Sequence, residues 1–167
     1  MLRKVTLLAA LVAILSLAVA GVAQARVITG TPQPDELRGT DASDYISGLG
    51  GADLIWGYAG DDDLFGNGGA DTIRGGLDDD DIYGGGGADL LYGGDGDDDI
   101  YGGAGADYMN GGPGDDYINA LDGTTNDVVF CGRGWDYVEA EYNSATDDED
   151  QVDYDTCEYI VWTDIAP

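Results

Sequence analysis

Between residues 30 and 119 a large apolar side chain recurs every nine residues, at Leu37, Ile46, Ile55, Leu64, Ile73, Ile82, Leu91, Ile100, Met109 and Ile118. Two places before each stands an aspartate: Asp35, Asp44, Asp53, Asp62, Asp71, Asp80, Asp89, Asp98, Asp107 and Asp116. Five places before each aspartate stands a glycine, from Gly30 through to Gly111. A disordered acidic linker would share this composition without keeping three registers in step over ten units, so the pattern marks a structural repeat. Within a unit the apolar residue and its two neighbours predict a short strand, its middle side chain inward and its flanks outward. The other six positions, dominated by Gly and Asp, predict a turn in which glycine supplies positive φ.

The residue before the aspartate alternates: Ala52, Asp61, Ala70, Asp79, Ala88, Asp97, Ala106, Asp115. The true period is therefore eighteen, two units to a coil, with two chemically different edges. Ten units predict five coils and, at about 4.8 Å per strand spacing, a roll roughly 24 Å long. One inward apolar side chain per nine residues is a thin core. Such coils need stacking and a further source of stability.

The flanks read differently. Met1–Lys4 is positive, Val5–Val22 is an almost unbroken apolar run, and Ala23-Gln24-Ala25 gives a small-x-small site. These features predict a signal peptide over 1–25 and an extracellular protein with no retained membrane anchor, although the run approaches spanning length. Residues 26–47 hold the degenerate first units, and 48–119 the best-matched roll. From Ala120 the register breaks, with Asp127-Val128-Val129 and Gly134-Trp135-Asp136-Tyr137-Val138 resembling degenerate units. The acidic stretch Thr146–Asp150 and the run Cys157–Trp162 follow, and 120–167 reads as a C-terminal cap protecting the open edge. In an oxidising compartment Cys131 and Cys157 are expected to pair, closing a loop of about 27 residues worth roughly 3 kcal/mol, with two buried free thiols as the alternative.

Charge narrows the chemistry. The 167 residues carry 34 Asp and Glu against 6 Lys and Arg, no His and 29 Gly. Without residues 1–25 the basic residues are Arg26, Arg38, Arg74 and Arg133, which leaves a net charge of −30 and no Lys. Nucleic acid is excluded as a partner. Without His or Lys there is no Ser-His-Asp or Cys-His machinery, no HExxH site and no Schiff base. A cation must neutralise the chain before it can be compact.

The unit reads G-G-x-G-x-D-x-U-x, with U apolar. Gly84–Tyr92, Gly93–Tyr101, Gly102–Asn110 and Gly111–Asn119 match every position. Gly75–Tyr83 carries Asp78 in place of the third glycine, and the three units from Gly48 to Arg74 carry Leu49, Tyr58 and Asn67 in place of the second. Gly30–Arg38 and Gly39–Ser47 lack both later glycines and are expected to cap the N-terminal end. Over Gly30–Asn119 the chain resembles the RTX (hemolysin-type calcium-binding) repeat family. The resemblance implies an all-β, right-handed parallel β-roll. It further implies calcium ions between adjacent turns, held by the aspartates and by carbonyls of the glycine-rich segments.

The residues point the same way. Stacking at eighteen sets Asp35, Asp53, Asp71, Asp89 and Asp107 in one column and Asp44, Asp62, Asp80, Asp98 and Asp116 in the other. Carboxylates one strand apart repel unless a cation lies between them, and calcium takes six to eight oxygens at about 2.4 Å. Zinc and copper lack their usual ligands here. The expected metal positions are the eight aspartates Asp53, Asp62, Asp71, Asp80, Asp89, Asp98, Asp107 and Asp116, with Gly84, Gly85, Gly87, Gly93, Gly94, Gly96, Gly102, Gly103, Gly105, Gly111, Gly112 and Gly114. Five turns leave four gaps per column, so several ions, up to about eight, are expected.

Trp56, Phe65, Tyr83, Tyr92 and Tyr101 follow the apolar position and should form two outward ladders. They serve either as cross-strand packing or as a platform for carbohydrate or the cell envelope. Asp61, Asp63, Asp79, Asp81, Asp97 and Asp99 read as a solvated acidic edge or as a further cation bridge between columns. The sequence therefore predicts a secreted, non-catalytic calcium-binding protein, structural or adhesive at the cell exterior. The alternative is a β-helical lyase or epimerase acting on polysaccharide, for which Arg38 and Arg74 are the only basic residues on the roll.

Overall fold

The computed structural model describes residues 24–124, 126–143 and 148–166. The segment 1–23 of the expected signal peptide lies outside the described residues, as do Thr146 and Asp147. The described residues form strands β1 (Val27–Thr29), β2 (Glu36–Arg38), β3 (Tyr45–Ser47), β4 (Leu54–Ala59), β5 (Asp63–Gly68), β6 (Thr72–Leu77), β7 (Asp81–Gly86) and β8 (Leu90–Asp95). They continue with β9 (Asp99–Ala104), β10 (Tyr108–Pro113), β11 (Tyr117–Asn119), β12 (Val128–Arg133), β13 (Tyr137–Asn143), β14 (Asp148–Glu149), β15 (Gln151–Val152) and β16 (Tyr159–Asp164). No helix occurs among them.

Successive strands alternate between two sheets. One runs β1-β3-β5-β7-β9-β11-β13-β14, with β16 also paired to β13; the other runs β15-β12-β10-β8-β6-β4-β2. Every pairing is parallel except β13 with β14. Leu64 pairs with Ile82 and Ile82 with Ile100, so the eighteen-residue period is the coil. The architecture is an all-β parallel solenoid. The seven-stranded sheet gives it about seven coils, two more than the ten motif units supply. The additional coils come from β12, β13, β15 and β16, which continue both sheets in register beyond Ala120. Cys131 and Cys157 are bonded, with Cα atoms 5.1 Å apart.

The strands are longer than the three residues expected. From β4 to β10 each has six, because the first glycines of the next unit also pair with their counterparts one coil away, as Gly85 does with Gly103. Asp53, Ile55 and Gly57 all face inward, alternating with exposed or half-buried neighbours. Each unit thus contributes an acid, an apolar residue and a glycine to the interior. The apolar ladder from Ile46 to Ile118 is fully buried, and Val129 and Val138 extend it.

In the units from Gly48 to Tyr83, four residues that replace a motif glycine keep its backbone conformation. Leu49, Tyr58, Asn67 and Asp78 keep φ of 76°, 90°, 72° and 75°. Stacking on the coils above and below forces a left-handed conformation that costs an L-residue about 1–2 kcal/mol.

Candidate metal centre

The aspartate two places before each apolar residue sits at the corner where the chain enters a strand, on the inward parity. Its backbone and side chain are both committed. In one column, Oδ1 of Asp71 accepts the N–H of Asp53 at 2.8 Å, Asp89 that of Asp71 at 2.7 Å and Asp107 that of Asp89 at 2.9 Å. In the other, Oδ1 of Asp80, Asp98 and Asp116 accepts the N–H of Asp62, Asp80 and Asp98, each at 2.9 Å. Each carboxylate is thereby aimed along the roll axis.

The second oxygen has no such partner. Oδ2 of Asp53, Asp62, Asp71, Asp80, Asp89, Asp98, Asp107 and Asp116 is buried without a hydrogen bond, and so is that of Asp127 and Asp136. The first two units differ. Thr31 and Thr40 take the second-glycine position, and each donates its N–H and its hydroxyl to Oδ2 of Asp35 or Asp44. In those two units the chain itself fills the role that remains open in the rest.

The glycines shape the open side. A Cβ placed on Gly66, Gly84, Gly93 or Gly111 would meet Oδ2 of the aspartate five residues on and a carbonyl oxygen of the next coil. At Gly66 and Gly93 that carbonyl, from Gly84 and Gly111, lies 2.6 Å from the Cβ position. Glycine therefore keeps clear a cradle into which a carboxylate and a carbonyl converge. Gly85, Gly94, Gly103 and Gly112, then Gly87, Gly96, Gly105 and Gly114, all have positive φ and fold the turn around it.

Electrostatics favour a cation strongly. Burial, reinforced by neighbouring carboxylates, pushes Asp98 up to about 8 and Asp80, Asp89 and Asp116 to about 7, against one favourable N–H each. Asp62 rises to about 6 for the same reasons, with Asp61 and Asp63 contributing. Burial likewise raises Asp71 and Asp107. Arg38 pairs with Glu36 at the exposed surface, not with a column carboxylate. Among the described residues no three His, Cys, Asp or Glu side chains converge on one point. An ion in a column would thus draw on two carboxylates and on main-chain carbonyls, a donor set for a hard cation.

Comparison with known families decides the chemistry. The model of the RTX calcium-binding nonapeptide repeat, four copies long, matches residues 29–64, 38–73, 56–91, 65–100, 83–118 and 92–125. Together these matches cover more than half of the chain. The chain belongs to the RTX calcium-binding repeat family. No curated protein and no solved structure matches it.

Three features of this RTX chain were not read from its sequence. Asp127 and Asp136 continue the two columns, their Oδ1 atoms accepting the N–H of Asp107 at 2.8 Å and of Asp116 at 2.9 Å. A two-residue insertion hides them, yet the spacing of nine between them was the available signal. Second, the outer acids are not merely solvated: Oδ1 of Asp79, Asp97 and Asp115 accepts the N–H of Asp97, Asp115 and Trp135 in turn. Beside them Asp61, Asp63, Asp79, Asp81, Asp97 and Asp99 line an open cleft of 290 Å³ next to Asp62 and Asp80.

Third, the aromatic ladders are not symmetrical. On one sheet Tyr45, Phe65, Tyr83, Tyr101, Tyr117, Tyr137 and Tyr159 form a continuous series, with Phe65, Tyr83 and Tyr101 stacked face to face at 4.8 Å. On the other sheet arginine interrupts the rings. Arg38 lies 4.6 Å above Trp56, and Arg74 lies 4.7 Å above Tyr92.

Proposed function

We propose that this chain is a secreted calcium-dependent scaffold whose roll forms, at neutral pH, only when ions fill its two columns. The observation that carries the reading is the series of buried, partnerless Oδ2 atoms, one per coil in each column, beginning after the threonine-capped units. Four aspartates from Asp53 to Asp107 leave three gaps, and four from Asp62 to Asp116 leave three more. Six ions would fill them, fewer than a count of four gaps per column, because Thr31 and Thr40 already satisfy Asp35 and Asp44.

Each ion would be held by the aspartates of two coils and by carbonyls of the glycine-rich turns, here those beginning at Gly66, Gly75, Gly84, Gly93, Gly102 and Gly111. The protein supplies the oriented carboxylates and excludes water. Calcium supplies the positive charge that the columns otherwise take from protons. Binding and folding are one equilibrium, since the unfolded chain has no columns.

A structural role outside the cell fits the signal-like N-terminus and the disulfide. A carbohydrate platform has less support, because the stacked faces of Phe65, Tyr83 and Tyr101 cover one another instead of facing outward. Nothing favours a lyase or epimerase, since Arg38 and Arg74 are each engaged over a ring.

Calcium titration of residues 26–167 followed by circular dichroism tests the proposal. The expected result at neutral pH is a cooperative gain of β signal, in the range of about 10⁻⁴–10⁻³ M typical of extracellular modules. A β spectrum already complete in excess EGTA, and unmoved by millimolar calcium, would overturn it.

A further inference from the structure

We infer that the Asp62 column carries one more calcium site beyond the repeats, between Asp116 and Asp136, with the carbonyl of the disulfide-bonded Cys131 in the place of a motif glycine. The inference rests on the calcium reading of the columns, but the residues that complete this site lie outside the family match, which ends at residue 125.

Geometry at the last gap reproduces that of the gap before it. A Cβ on Gly93 would meet Asp98 Oδ2 and lie 2.6 Å from the Gly111 carbonyl oxygen; a Cβ on Gly111 would meet Asp116 Oδ2 and lie 2.6 Å from the Cys131 carbonyl oxygen. Gly132 and Gly134 have φ of 119° and 146°, against 121° and 155° at Gly112 and Gly114, so the turn around the cradle is kept. Asp136 is 1% exposed, and its Oδ2 is buried without a partner. Cys131 stands five residues before Asp136, the spacing of the motif. Its bond to Cys157 ties that carbonyl to the segment leading into β16.

The corresponding gap in the Asp53 column is different. The inserted residues fall within its turn, so Ala120, one coil on from Gly102, is seven residues from Asp127 and not five. A Cβ on Gly102 meets Asp107 Oδ2 at 2.7 Å and then Sδ and Cε of Met109 at 3.2 Å, with no carbonyl oxygen among its three nearest atoms. Apolar atoms occupy the side of the cradle where the other column presents oxygen. The extra site belongs to one column alone.

Native mass spectrometry of the calcium-loaded chain counts the ions directly. Asp136→Asn, which keeps the oxygen that accepts the Asp116 N–H, is expected to hold one ion fewer than the parent. Gly111→Ala, whose Cβ at an ordinary φ would meet Asp116 Oδ2 and the Cys131 carbonyl oxygen and so displace that carboxylate, is expected to hold at least one ion fewer. Asp127→Asn is expected to keep the parental number. If Asp136→Asn does not fold in calcium, the count for Gly111→Ala decides. A parental count in the Asp136→Asn and Gly111→Ala variants, or the loss of an ion in Asp127→Asn, overturns the inference. A parent that binds no calcium at all would instead mean that the proposed function has failed.

Discussion

Asp89 and Asp97 lie eight residues apart on neighbouring turns, and replacing each by alanine separates a ligand from a bystander. Asp89 is 1% exposed, faces a gap above and a gap below, and accepts the Asp71 N–H at 2.7 Å. Removing it strands that buried N–H, at a cost of about 1–3 kcal/mol. It also removes a ligand from two ions, each of which contributes about 1.4 kcal/mol when free calcium is tenfold above the dissociation constant. Together the loss is about 4–6 kcal/mol, comparable with the whole stability of a small domain. Asp97 is exposed and accepts the Asp115 N–H at 2.8 Å, so Asp97→Ala forfeits only about 0.5–1.5 kcal/mol. Urea denaturation of both variants at one fixed calcium level, read by circular dichroism, compares them. Equal displacement of the two midpoints would refute the reasoning, because the aspartates would then act as a diffuse cloud of charge and not as specific ligands.

Two further outcomes follow from the same geometry. The folded-state values of about 7 to 8 at Asp80, Asp89, Asp98 and Asp116 lie above those of an unfolded carboxylate, so the folded chain holds the extra protons. Calcium-stripped protein should therefore be most stable below about pH 4 and lose that stability as the pH rises towards about 8. Circular dichroism of the stripped chain across this range checks it, and a metal-free roll more stable at pH 8 than at pH 4 would contradict it. Leu49→Gly relieves a left-handed residue whose side chain is 46% exposed, and should raise the thermal midpoint by an amount equivalent to roughly 1 kcal/mol. A lowered midpoint would show that the Leu49 side chain contributes more by packing than its backbone costs.

The repeat made the fold legible because parallel stacking turns a sequence period into a spatial one: Ile82 lies between Leu64 and Ile100 for no reason beyond their spacing. The buried aspartates were equally plain, since no other arrangement places one acid at each corner. What the spacing hid had local causes. The insertion after Ala120 displaced Asp127 and Asp136 by two places, so the coils beyond it showed in the sequence only as degenerate units. The role of Thr31 and Thr40 depends on hydroxyl groups reaching a carboxylate four residues on, which composition does not announce. The aromatic series crosses from residues that follow the apolar position to residues that precede it, with Tyr101 meeting Tyr117 at 5.7 Å, a step set by how side chains lean.

Because each coil is joined to the next by bonds running along the roll axis, tension applied between the two ends would open the molecule as a zipper, one coil at a time. Eighteen residues that occupy about 4.8 Å of the folded roll can reach about 60 Å when extended. Each released coil would thus lengthen the molecule more than tenfold locally while its neighbours stay intact. The bond between Cys131 and Cys157 shortens that run at one end, since the 26-residue interval between them cannot be paid out. The coils that precede it would act as successive mechanical fuses, each reset when the ions return.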